Sequence, residues 1–198
     1  MASIALHLAR IYLFISVFFS ISCTDQDAQN LQQVEDTLAT GEDHIPLMLR
    51  GINLGNTLEP GDEGDWNNGP ALEYYFDDYK SAGFTCIRIP VRWGSHTLDV
   101  PPYTVDRNWM ARIYQVVSWG LDRDLYIILN AHHDNWIKEN YSGANVARFE
   151  SIWSQISERF KDKSDKLFFE IINEPHGLTA EQVDDLNTRI LSIIRTNN

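Results

Sequence analysis

From Met48 onward the chain alternates between short, unbroken apolar runs and longer stretches whose apolar residues return every third or fourth position. The first pattern belongs to buried strands, the second to helices with one buried face. Four strands are expected: Met48 to Leu54, Thr85 to Val91, Leu125 to Ala131, and the run starting at Leu167 and Phe168. Pro175 cannot donate to a ladder and biases Glu174 towards extended geometry, so the fourth strand is expected to carry Glu174 at its C-terminal tip. The helices fall between and after the strands. Pro70 suits a first helical turn, Leu72, Tyr75, Phe76 and Tyr79 supply the spacing, and Gly83 ends the helix. Asp106 caps a second helix with Trp109, Ile113, Val116 and Val117 inward. Phe149, Ile152, Trp153, Ile156 and Phe160 line a third. Thr179 and Gln182 form a capping box for a fourth, which buries Val183, Leu186, Ile190 and Ile194.

Strand–helix units repeating about every forty residues imply right-handed crossovers and a parallel sheet. An open doubly wound sheet and part of an eight-fold barrel both fit that pattern. The Gly51-Ile52-Asn53-Leu54-Gly55-Asn56 stretch lacks the glycine spacing of a dinucleotide-binding turn. A complete barrel takes about 250 residues, more than follow the leader here. The expected fold class is therefore α/β: the first four βα units of a (β/α)8 TIM barrel, truncated, over residues 44–198.

The N-terminal residues change the picture of where the protein works. Residues 1–22 read as a signal peptide, with Arg10 ahead of the apolar run Ile11 to Ile21, which is short for a membrane span. Cys23 follows Ile21-Ser22 as in a bacterial lipoprotein processing site, where the cysteine would be lipidated; a plain cleavage site fits the same residues. Residues 23–43 are rich in Asp, Gln, Asn and Thr and read as a flexible spacer. The expected location is extracellular or anchored at the cell surface or outer membrane. Cys86 lies inside a strand, so no intramolecular disulfide is expected. The net charge of −12 disfavours nucleic acid and anionic membranes as partners, which leaves a lipid on Cys23 as the one expected membrane contact. Most of the six Trp, eight Tyr and nine Phe fall at core spacing, so few remain for ligand stacking.

Candidate chemistry gathers where the strands end. In a parallel α/β fold the loops after the strand C-termini carry the functional groups. The first strand offers Asn53 and Asn56. The second carries Arg88, a charge that needs a carboxylate partner if buried. The third runs into Asn130-Ala131-His132-His133-Asp134-Asn135-Trp136, and the fourth into Asn173 and Glu174.

The stretches Arg50 to Glu59, Gly83 to Trp93, Asn130 to Asp134, and Glu170-Ile171-Ile172-Asn173-Glu174-Pro175 together resemble glycoside hydrolase family 5, the cellulase family of retaining (β/α)8 barrels. The resemblance runs from about Leu49 to the end of the chain and implies an endo-β-1,4-glucanase acting on β-glucan polysaccharide. It implies that Glu174 is the acid/base and that Asn173 bonds the sugar 2-hydroxyl, a contact that strengthens in the transition state. Arg88 matches the arginine that holds the nucleophile ionised, and His132 matches the active-site histidine. Trp93, His133 and Trp136 are candidates for lining sugar subsites, beside Asn53; loop packing is the competing role for each. The family draws its nucleophile from a seventh strand, which this sequence does not reach, and Glu139, Glu150, Glu158 and Glu181 fall on helices or in a loop. The chain alone is expected to be inactive. No cofactor or metal is implied. Two other readings are a metal-dependent hydrolase using His132, His133 and Asp134, and a non-catalytic carbohydrate-binding half-barrel that self-associates through its open edges. Adjacent histidines on an extended strand point to opposite faces, which argues against the first.

Overall fold

The computed structural model describes residues 44–67 and 69–197. The expected signal peptide, Cys23 and the spacer lie outside the described residues. Four strands, β1 (Gly51–Asn53), β2 (Cys86–Ile89), β3 (Tyr126–Asn130) and β4 (Leu167–Glu170), form one parallel sheet in sequence order. The helices are α1 (Tyr74–Ser81), α2 (Arg107–Leu121), α3 (Asn135–Glu139), α4 (Gly143–Phe160) and α5 (Ala180–Asn197). No helix among the described residues is long and apolar enough to cross a membrane.

Register explains how the sheet divides its labour. Ile52, Ile87, Ile127 and Leu167 lie side by side, and one strand position later so do Asn53, Arg88, Ile128 and Phe168. Successive residues alternate faces. The first row, with Ile89, Leu129 and Phe169, faces the helices: Ile87, Ile89, Ile127 and Leu129 are fully buried, and Phe169 meets Trp153 and Phe160 of α4. The opposite face is left with Asn53, Arg88, Asn130 and Glu170 near the C-terminal ends.

The expected helical faces are present, except that Val183 is only half-buried and stays outside the core. Phe76, Trp109, Ile113, Val116, Val117, Phe149, Ile152, Trp153, Ile156, Phe160, Leu186, Ile190 and Ile194 all join one core. Asp106 accepts from the Trp109 N–H at 2.9 Å, and Thr179 and Gln182 bond each other's backbone N–H groups at 3.3 and 2.9 Å. The boundaries differ more. Only Gly51–Asn53 of the expected first strand pairs, because Ile45–Leu47 turn as a 3-10 helix and Met48 folds back onto Ile45. Pro70 does not open α1: the Ala71 N–H is taken by Glu63, the Tyr75 and Phe76 N–H groups bond three residues back, and Leu72 is exposed. The fourth strand stops at Glu170, so Glu174 lies four residues beyond its end, and β4, at the sheet edge, is half-buried rather than buried. The short helix α3, inserted before α4, has too few residues to show a period.

Candidate active site

The polar face of the sheet is organised by Arg88. Its Nε and Nη2 donate to Glu170 Oε2 and Oε1, each at 2.6 Å, and Nη2 also donates to Asn173 Oδ1 at 2.9 Å. Asn130, level with Glu170 in the ladder, donates its amide to Oε1 at 3.1 Å. Burial works against ionising Glu170, but the hydrogen bonds from Arg88 and Asn130 and the guanidinium charge outweigh it, so the carboxyl titrates below its ordinary value. The carboxylate that Arg88 needs is thus Glu170, a residue to which sequence reasoning gave no role. Its signal was present: one carboxylate inside an otherwise apolar strand, matched to one arginine inside another.

Past β4, the chain turns sharply. The Asn173 N–H donates to Ala131 O at 2.9 Å and Asn173 is buried. Glu174 is exposed and left-handed, with φ +43°, not extended as Pro175 suggests. Lys138 of α3 explains how this is held. Its buried ammonium donates to both the Asn173 and Glu174 carbonyls at 3.3 Å, while the His176 N–H returns to Glu174 O at 2.7 Å. Burial pushes the Lys138 pKa down, and the Glu174 charge acts against that shift. Asn56 and His133, in the loops after β1 and β3, are also left-handed, with φ +59° and +56°. Non-glycine residues in this region are strained, and such strain gathers at sites whose surroundings over-determine it.

That backbone corrects the view of the two histidines. Because His133 leaves extended geometry, the His132 and His133 rings are not on opposite faces; their centroids are 4.4 Å apart and nearly perpendicular. His132 Nδ1 lies 3.2 Å from the Asn130 amide. Burial, then the neighbouring His133 and Arg88 charges, push its pKa down to about 4, so the ring is neutral near pH 7. Asp134 turns elsewhere: Oδ1 accepts from the Gly94 N–H at 2.7 Å and the Trp136 indole at 3.1 Å, while Oδ2 is buried without a partner. Burial pushes this carboxyl up to about 6. Among the described residues no three His, Cys, Asp or Glu side chains are grouped to hold a metal ion.

The aromatic candidates divide. Trp93 is fully buried and its indole donates to Asn130 O at 3.0 Å, so it supports the β3 end from within the core and cannot stack on a sugar. Trp136 is also a packing residue: it lies against Phe149, with Arg148 4.5 Å from its ring centre. Their spacing looked like loop chemistry because burial of a loop tryptophan is a tertiary property. Asn53 is exposed at the β1 tip. The aromatic that does reach the site is Trp66, half-exposed, with its ring centre 5.5 Å from that of His133. Glu59, the other carboxylate without an assigned role, is buried and accepts from the Asn56 N–H at 2.5 Å and the Thr57 N–H at 3.0 Å. Its charge opposes the lowering of the His133 pKa that burial causes.

Residues 40–198 match the family described as Cellulase (glycosyl hydrolase family 5). The chain belongs to glycosyl hydrolase family 5. Among family members, Endoglucanase H of Acetivibrio thermocellus is 58% identical over 155 residues, 78% of this chain and 17% of that protein. The crystal structure of endoglucanase Cel5A from Thermotoga maritima superposes with a TM-score of 0.77 at 37% identity, over 81% of this chain and 52% of that one. A tri-modular subfamily 4 endo-β-1,4-glucanase from Bacillus licheniformis gives 0.75 at 45% identity, over 79% and 32%. This family 5 chain therefore spans about half of the Thermotoga structure and a smaller part of the other two. Its four-stranded parallel sheet matches the TIM barrels of these relatives.

The family 5 site thus combines an exposed carboxyl on a braced turn, an amide fixed beside it, a neutral imidazole and an arginine bonded to Glu170 and Asn173. Asn173 spends its oxygen on Arg88, which leaves its N–H groups for a hydroxyl. Such a set can donate and remove a proton at one place while holding a neutral, hydroxyl-rich ligand.

Proposed function

We propose that this chain carries the acid/base part of a retaining endo-β-1,4-glucanase. The observation that carries the reading is the bracing of Glu174 by Lys138, Asn173 and the Arg88–Glu170 pair, which holds one exposed carboxyl at the mouth of the site. Glu174 would protonate the departing glycosidic oxygen and then deprotonate the attacking water, while the Asn173 amide donates to the 2-hydroxyl of the bound sugar. Neutral His132 offers a hydrogen bond without adding charge. A retaining mechanism takes a second carboxyl about 5 Å away, which we assign to residues beyond this sequence. Glu170 and Glu59 are already committed, the one to Arg88 and the other to backbone N–H groups. The relatives support a β-linked neutral glycan: Thermotoga Cel5A structures are described with cellobiose and with mannotriose, and the Bacillus enzyme with cellotetraose. Export follows from the apolar run of residues 11–21 in the sequence, with Cys23 as a lipid attachment point in the surface-anchored form.

The test is hydrolysis of carboxymethylcellulose by the polypeptide containing this sequence and the second carboxyl, with the Glu174→Gln variant alongside. Loss of general acid catalysis lowers the rate by about a hundredfold or more. An aryl cellobioside with a good leaving group should lose less, and azide should restore turnover by replacing the water that Glu174 activates. An unchanged rate on carboxymethylcellulose would remove Glu174 from this role.

A further inference from the structure

Trp66 is the one large aromatic at the site that the core does not absorb. It is 51% exposed, yet it is not loose. Arg92 of the loop after β2 lies over its ring, 5.7 Å from the centre, and the His133 ring of the loop after β3 stands nearly perpendicular to it, at an interplanar angle of 73°. The turn that carries it is anchored on both sides. The Gly64 N–H donates to Thr57 O at 2.8 Å, and the Asn67 and Gly69 N–H groups both return to Gly64 O at 3.2 Å. Glu63 is clamped by Arg112, with bonds from Nε and Nη2 at 2.9 Å. Gly64, at φ +83°, permits the turn, because a Cβ there would run into the Gly69 backbone.

An exposed tryptophan by itself says nothing, since scattered surface hydrophobics are normal. This one is different in three respects. It is oriented by a cation and an imidazole, it is mounted on a braced turn, and it reaches from the β1 loop across to the His133 that follows β3. Its indole N–H donates to no protein atom among the described residues. The face of a pyranose ring with its C–H groups presents weakly positive hydrogens, which complement the negative face of an indole. A platform whose orientation is already fixed loses little freedom when a ligand lands on it.

We propose that Trp66 is a sugar-stacking platform of this protein, taking one pyranose ring of a neutral β-linked glucan against its indole, beside His133. The assignment rests on the glucanase reading for the identity of the ligand. It moves the aromatic subsite from Trp93, which lies in the core, and Trp136, which is half-buried against Phe149, to a loop residue whose sequence neighbours are acidic and polar.

Calorimetric titration of the polypeptide containing this sequence and the second carboxyl tests it, with Glu174→Gln throughout to prevent turnover, cellotetraose as the ligand and maltotetraose as a neutral glucan of the other linkage. The Trp66→Ala variant should bind cellotetraose about tenfold more weakly, the scale of one aromatic contact. The Trp66→Phe variant, which keeps a ring, should retain most of the affinity, and circular dichroism should be unchanged in both because the side chain is exposed. Equal binding by the proteins with Trp66 intact and with Trp66→Ala would overturn the platform and leave the glucanase reading standing. A folded protein with Trp66 intact that binds no cellotetraose, or that prefers maltotetraose, would overturn the glucanase reading and the platform with it.

Discussion

Arg88 and Glu170 are the pair on which the other polar groups of the site depend. The guanidinium fork matches the carboxylate with two bonds of 2.6 Å, and the side chains are 23% and 33% exposed. Two-bond geometry of this kind is stronger than a point contact, and lysine cannot reproduce it. Removing one partner strands the other, which costs about 3–5 kcal/mol when the pair is fully buried. For this half-screened pair we expect Arg88→Met to lower the unfolding free energy by about 2 kcal/mol. The Arg88→Met, Glu170→Leu double variant should recover most of that loss in urea denaturation, because no uncompensated charge remains. Sequence alone identified the need for a partner but not the partner, because the two residues are 82 positions apart and meet only through strand register.

Among the elements, α2 approaches the sheet closely at Gly120. Gly120 packs so closely on Ile127 of β3 that an added Cβ would collide with the Ile127 side chain, with Phe76 also within 3.2 Å. Glycine is unfavourable inside a helix by about 1 kcal/mol relative to alanine, so its presence here reflects the contact rather than the helix. A Gly120→Val substitution should destabilise by about 1–3 kcal/mol through overpacking, read as a lowered urea midpoint with the slope unchanged. The elements were largely legible: the four strands and four of the five helices follow from period and capping, because those signals are local. The short α3 was not, although its Lys138 holds the Glu174 turn. Five residues carry too little pattern, and nothing in Asn135 to Glu139 announces a buried lysine.

For the whole molecule, three groups tie stability to pH with opposite signs. His132 titrates at about 4 in the fold, against 6.5 when free. Its neutral form is favoured in the fold, so its contribution is complete above the free value and is lost as pH falls towards 4. Glu170 is depressed from 4.5, so its contribution is present above that value and is lost as pH falls through its lower folded pKa. Asp134 is raised from 3.8 to about 6, so its contribution is complete below 3.8 and is lost as pH rises through 6. Between pH 4 and 6.5 the His132 gain and the Asp134 loss run through nearly the same window and largely offset each other, so urea midpoints of the wild-type protein should change little from pH 4 to 8. In Asp134→Asn, which keeps the acceptor for Gly94 and Trp136 but removes the buried charge, the offset is gone and the midpoints should rise from pH 4 to about 6.5.

What the sequence by itself determined is what depends on neighbours along the chain: the strand–helix alternation, the helical faces, the caps, the family, and the candidates Glu174, Asn173, Arg88 and His132. The tertiary structure decided everything that depends on residues brought together from afar. It gave Arg88 its carboxylate, put Trp93 and Trp136 into packing, turned His133 onto His132, and left Trp66 exposed over the site. The physical reason is that hydrophobic period and capping are written within a turn or two of chain, whereas burial and charge pairing are set by parallel register between strands separated by dozens of residues.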